Sequence, residues 1–249
     1  MRERRVLTTF TLVFSACSTL IAAFVRGYSG FGFSMISILL LSLLLPPAEI
    51  VPAILCLEVA ASIWLLPQVW KDVHWKSLLW LSLGVVMTTP VGAYLLAATP
   101  QKPMRVGIAA AVLAFAILLR RGFAWKRMPN RAWTVAAGMA TGLLNGAAAL
   151  GGPPVILFYF SSPAGAGVSR ASLIAYFFFT DLTAIGANAA GGLVSMRTVY
   201  FGAAMLPPLI AGLIIGSRVF SRADPESFRR TVLAFLMVLS LAGIVRAFM

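Results

Sequence analysis

Apolar runs alternate with short polar or Gly-Pro stretches along the whole chain. The first run covers Val6 to Val25 and is interrupted by Gly27, Gly30 and Gly32 within VRGYSGFGFSM, Val25 to Met35. A shorter run follows from Phe33 to Leu45. It is short for crossing ~30 Å of hydrocarbon, so it predicts a half-helix or a re-entrant element. After the Pro46-Pro47 turn, Ile50 to Leu66 predicts a span, with Pro52 in its first turn, where proline is tolerated. The segment Pro67 to Lys76 is polar, and its Trp70 and Trp75 read as anchors at a membrane interface. Ser77 to Ala97 and Met104 to Leu119 predict two further spans.

The order then repeats. Trp133 to Leu144 is apolar with small residues. LNGAAALGGPPV, Leu144 to Val155, is too rich in Gly and Pro for an ordinary helix and predicts a break. A short run from Val155 to Phe160 follows, then a turn from Ser161 to Gly167. Ala171 to Ala190, Val199 to Phe220 and Phe228 to Phe248 predict spans.

The halves superpose at an offset of about 119 to 124 residues, which places Gly27 on Gly146 and Gly32 on Gly151. VHWKS at Val73 to Ser77 falls on VSMRT at Val194 to Thr198. The expected organisation is a first transmembrane repeat at 1–121, a basic linker at 122–131 and a second repeat at 132–249. If the short elements cross, the repeats are inverted and the chain makes ten crossings. If they are re-entrant, it makes eight and the repeats run parallel. Interrupted segments at matching places in two halves mark a binding site in transporters.

Composition supports the membrane reading. Of 249 residues, 60% are hydrophobic and 11% charged, where a soluble domain carries about 25% charged. The mean hydropathy is +0.94. The net charge of +13 comes mostly from clusters between apolar runs, such as Arg2, Arg4 and Arg5, or Arg120, Arg121, Lys126, Arg127 and Arg131. That placement fits lipid headgroups and cytoplasmic loops and argues against nucleic acid as a partner. The first apolar run lacks a small-x-small cleavage site, so an uncleaved helix is expected. Cys17 and Cys56 suggest neither disulfide nor metal site, and His74 is the only histidine. No cofactor motif, Walker loop or hydrolase elbow is present.

The candidate chemistry lies at the breaks. Backbone groups freed there at membrane depth are costly unless protein, water or substrate satisfies them. Pro153 and Pro154 suit the first turn of a half-helix, whose N-terminus favours an anion. Candidate substrate contacts are therefore Gly27, Ser29 and Gly30 with Tyr28 in the first break, and Asn145, Gly146, Gly151 and Gly152 in the second. The alternative for the glycines is close helix packing. Arg26 and Arg170 flank the half-elements and match an oxyanion by bidentate bonding. Their alternative is interfacial snorkelling. Glu58 and Asp181 are the two acids well inside apolar spans, and they are candidates for ion or proton coupling. The alternative is a hydrogen-bonded structural acid.

These features together resemble the TauE/SafE (sulfite exporter) family. The resemblance rests on the Gly-rich segment opening each half, on VSRASLIAYFFFTDLTA at Val168 to Ala184, and on the short VHWK and VSMR segments before a span. It covers nearly the whole chain. Family members often have denser glycines where this chain has GYSGFGF and GAAALGGPP, and Asp181 stands where a neutral polar residue is expected. The resemblance implies secondary transport of a small sulfur anion, such as sulfite or a sulfonate, in a bacterial inner membrane without ATP hydrolysis.

The expected fold is all-α, a polytopic transmembrane bundle of about eight to ten segments in two repeats with broken or re-entrant helices. The expected partners are a small anion and the lipid bilayer, and homo-oligomerisation stays open. Two alternatives remain. A membrane-embedded enzyme would require Glu58, Asp181 and His74 to converge. A non-transporting membrane assembly protein would have a dry, closed core at the breaks.

Overall fold

A computed structural model describes residues 9–121, 130–160 and 166–220, with the isolated positions 234, 237, 238 and 241. Most of the basic linker, the turn after Phe160 and most of the last expected span lie outside the described residues. Among the described residues the chain is helical, with no strand. The helices are α1 (Thr9–Ser29), α2 (Phe33–Leu41), α3 (Pro47–Val69), α4 (Trp75–Ala98), α5 (Gln101–Arg120), α6 (Arg131–Ala148), α7 (Gly152–Phe160), α8 (Ala166–Ala190) and α9 (Met196–Phe220). Six of them are long and apolar enough to cross a membrane: α1, α3, α4, α5, α8 and α9. Large apolar side chains such as Leu79, Met87 and Tyr94 on α4 are uncovered, as a lipid-facing surface requires. The rings of Trp70 and Trp75 meet tilted, with centroids 4.5 Å apart, at the α3–α4 turn and remain exposed.

Both breaks are narrower than the sequence suggests. α1 continues to Ser29 and α6 to Ala148, so each break is three residues, 30–32 and 149–151. Glycine costs an exposed helix about 1 kcal/mol, but here small residues let helices approach closely, and packing outweighs propensity. A Cβ on Gly146 would run into the Thr89 carbonyl of α4, and one on Gly27 would reach the Leu213 carbonyl of α9. Each break opens on a left-handed residue, Gly30 at φ 79° and Ala149 at φ 54°. Their amides donate back to Arg26 O at 2.8 Å and to Asn145 O at 2.9 Å.

Two helix pairs form the tightest contacts. α6 lies along α4, with Gly138 on Leu81, Gly142 on Val85 and Gly146 on Thr89, so the two run parallel. Thr88 adds an interhelical bond to the Met139 carbonyl at 2.7 Å. α1 lies along α9 in the same sense, with Gly212 on Leu20 and Gly216 on Phe24. The first helix of each half of the chain thus packs on a helix of the other half.

α3 and α8 meet in the middle. The His74 amide, in the turn before α4, donates to Ser172 near the start of α8 at 2.9 Å. Near the other end, Asn188 of α8 donates to the Gly146 carbonyl, beside Thr89 of α4, at 3.4 Å. α8 therefore runs parallel to α4. Because the turn at 70–74 reverses the chain, α3 runs antiparallel to α8.

Candidate functional site

The two breaks and the centres of α3 and α8 enclose a buried polar cluster. Arg26 is the last charged residue of α1 and is fully buried, which no snorkelling side chain is. Its Nη2 lies 3.1 Å from Glu58 Oε2 and donates to Ser62 Oγ at 2.9 Å. Its guanidinium stacks over the Phe177 ring at 4.5 Å. Nε and Nη1 find no hydrogen-bond partner among the described residues.

Glu58, also fully buried, is held from a second side. Its Oε1 accepts from the Ser34 amide at 3.1 Å and the Ser34 hydroxyl at 2.8 Å. Ser34 is the second residue of α2, so the positive end of this half-helix faces a carboxylate of the protein itself. The sequence suggested a substrate anion at such a half-helix N-terminus; at α2 Glu58 takes the place.

The second break carries a matching bond. Asn145 of α6 donates from Nδ2 to Asp181 Oδ1 at 2.9 Å, and its Oδ1 accepts from the Gly151 amide at 3.0 Å. Both ends of this amide are thus engaged with protein, tying the break to α8. Asp181 is buried, its Oδ2 has no hydrogen-bond partner among the described residues, and it lies within electrostatic reach of Glu58 and Arg26.

The remaining candidates spread around this centre. Arg170 reaches across the first break, with its stem against Gly30 and its Nη2 donating to the Gly27 carbonyl at 3.3 Å. Arg170 and Arg26 sense each other's charge. Ser29 uses its hydroxyl on the Val25 and Phe31 carbonyls, at 2.7 Å each, and so braces the break. Tyr28 is buried beside Gly216. A Cβ on Gly152 would touch Phe177, which places the start of α7 next to the ring under Arg26. His74 does not join the cluster. It is exposed at the start of α4, where Nδ1 meets Ser77 Oγ at 2.8 Å.

Sequence reasoning did not single out Ser34, Ser62 or Phe177. Phe177 stands one helical turn before Asp181, so the i, i+4 spacing on α8 was an available signal. Nothing local marks Ser34 or Ser62, whose roles depend on which helices meet.

A family model described as Sulfite exporter TauE/SafE matches residues 15–243. The chain belongs to this family. No curated protein and no solved structure matches it. Membership in TauE/SafE makes the chain a membrane protein of a transporter family for sulfur anions, and the apolar helices agree. Among the described residues no group of three or more His, Cys, Asp or Glu is arranged to hold a metal.

Proposed function

We propose that the chain is a secondary transporter of sulfite, a sulfonate or a related small sulfur anion, and that it works in a bacterial inner membrane with the bilayer and the anion as its partners. The observation that carries this reading is Arg26, a fully buried guanidinium beside the first break with two nitrogens not committed to any described protein acceptor. A buried cation with open donors attracts an oxyanion strongly, because little water competes for it. Arg170, half-buried across the same break, draws the anion toward Arg26. Gly30, Gly151 and Gly152 lie in or beside the breaks, where backbone groups approach the path, and Gly27 and Gly146 bring α9 and α4 close against the helices that lead into them. Ser29 and Asn145 brace the two breaks. Glu58 and Asp181 couple the movement to protons, with Asp181 relaying through its open oxygen.

The two halves, 1–121 and 132–249, act as inverted repeats joined by the basic linker. The support is directional. α3 and α8 hold corresponding places in the two halves and run in opposite senses. α1 pairs with α9 as α6 pairs with α4, the exchange that a two-fold axis in the membrane plane generates.

The test is flux in proteoliposomes loaded with sulfite or a sulfonate under an imposed pH gradient. Gradient-driven flux that disappears in Arg26→Gln and persists in His74→Ala supports the reading. Flux of neither anion, or flux unaffected by Arg26→Gln, sinks it.

A further inference from the structure

Glu58 sits in a donor set that suits an anion from outside. One oxygen takes the Ser34 amide and hydroxyl at 3.1 and 2.8 Å, and the other faces Arg26 Nη2 at 3.1 Å. An amide in the first turn of a helix, a hydroxyl and a guanidinium are the groups that bind a sulfonate or sulfite. The carboxylate and the guanidinium are both buried, and the guanidinium has donors to spare. The protein's own acid therefore occupies the donors that the transported anion needs.

We propose that Glu58 is a tethered stand-in for the transported anion, and that anion and Glu58 carboxylate compete for Arg26 and the N-terminus of α2. The inference rests on Arg26 being the cation for the anion. When the anion arrives, Glu58 is displaced from both donors. An ionised carboxylate left unpaired in the bundle would cost several kcal/mol. It therefore leaves as the neutral acid, taking up one proton for each singly charged anion bound, and the net charge of the site is unchanged. On release, the acid gives up that proton and the carboxylate returns to Arg26.

The groups facing Glu58 favour this exchange. α1 presents Arg26 and α2 presents Ser34. α8 presents Asp181, a second buried acid within electrostatic reach of Glu58. Arg170, also on α8, lies near Arg26 and adds positive charge on the anion's side. The competition thus ties anion binding to proton uptake within one ion pair.

The experiment uses the full chain in lipid nanodiscs and methanesulfonate, a sulfonate that does not itself titrate in the working range. Calorimetry in buffers of different ionisation enthalpy reads the protons taken up per anion bound. One proton per anion is expected, with apparent affinity falling as pH rises, by up to about tenfold per pH unit. Glu58→Gln should bind with no linked proton, and about tenfold or more tighter at mildly alkaline pH, because a neutral amide cannot compete. His74→Ala should keep the linked proton. Binding by the wild-type chain without proton uptake overturns the proposal alone, as does a linked proton retained in Glu58→Gln. No binding to either protein overturns Arg26 as the anion's cation, and the proposal with it. If Glu58→Gln fails to fold, the wild-type proton count decides.

Discussion

Asn145 holds Asp181 as Arg26 holds Glu58. The two donors stand at one offset of 119 residues, the same that relates Gly30 to Ala149, and each is the residue whose carbonyl receives the left-handed amide of its break. Each reaches the carboxylate at the centre of the long helix that follows, at 3.1 Å for Arg26 and 2.9 Å for Asn145. One pair is charged on both sides, and the other sets a neutral amide against an acid. The repeated geometry thus carries different chemistry in the two halves, a buried ion pair in one and an amide–acid pair in the other.

Asp181→Asn should separate proton coupling from anion binding. Flux driven by a pH gradient falls about tenfold or more, in the range typical of losing one acid–base group, while exchange of labelled for unlabelled anion across the membrane continues. Equal loss of both activities would count against a relay at Asp181.

The Arg26–Glu58 pair should be dispensable for folding only as a pair. Arg26→Leu leaves Glu58 buried without its cation and should cost about 3–5 kcal/mol. Arg26→Leu with Glu58→Leu should recover most of that in a reversible unfolding assay, yet carry no anion. Recovery of transport in the double variant would show that the pair has no part in binding.

Packing at the breaks gives a contrast between glycines. Gly146→Val drives a branched side chain into the Thr89 carbonyl and Ala93, which should separate α4 from α6 at a cost of about 3 kcal/mol or more. Gly186→Val meets nothing within 4 Å and should change stability by about 0.5 kcal/mol or less. Melting curves of the two variants, compared side by side, check both statements.

Backbone conformation makes a subtler case. Ala149 takes a left-handed turn at φ 54° where the first half uses Gly30 at φ 79°. Ala149→Gly should relieve about 1 kcal/mol of strain, less the small packing loss of a buried methyl. Gly30→Ala should destabilise by more than that, since it adds both the strain and a clash with the Arg170 stem. Opposite signs of the two shifts in midpoint temperature are the expected result.

Orientation is testable by labelling. His74 and Ser195 occupy matching loops, VHWKS and VSMRT. Inverted halves place them on opposite faces of the membrane, whereas parallel halves place them on the same face. Single cysteines at these positions, in a chain lacking Cys17 and Cys56, should react with an impermeant maleimide from opposite sides of oriented vesicles.

The sequence was legible where each residue's behaviour depends on its neighbours along the chain. Apolar runs of spanning length gave the long helices, and Gly30, Gly32 and Gly151 marked the interruptions. Arg26, Glu58, Asn145 and Asp181 stood out because ionisable or amide side chains are costly inside apolar segments. Legibility ended where long-range packing decides. Asn145 to Ala148 stay helical because α4 lies against them, and nothing in LNGAAALGGPPV announces that neighbour. Gly27 and Gly146 could be read as contacts for an anion or for a helix, and the structure places Leu213 and Thr89 against them. Arg26 and Arg170 looked alike as flanking cations, but one is fully buried and the other reaches over a break from the opposite helix.

The exchange of partners between the halves also has a consequence for biogenesis. α1 ends at Ser29 and its partner α9 begins at Met196, so roughly 170 residues, about 10 to 30 s of synthesis, separate the two. Throughout that interval the Gly27 face of α1 must wait in the membrane for Leu213 to arrive. A chain that stops at the linker would leave α1 and α4 with their small-residue faces bare, ready to pair with whatever helix passes. Two fragments divided at the linker and made together should find each other, whereas either made alone should be a substrate for membrane quality control.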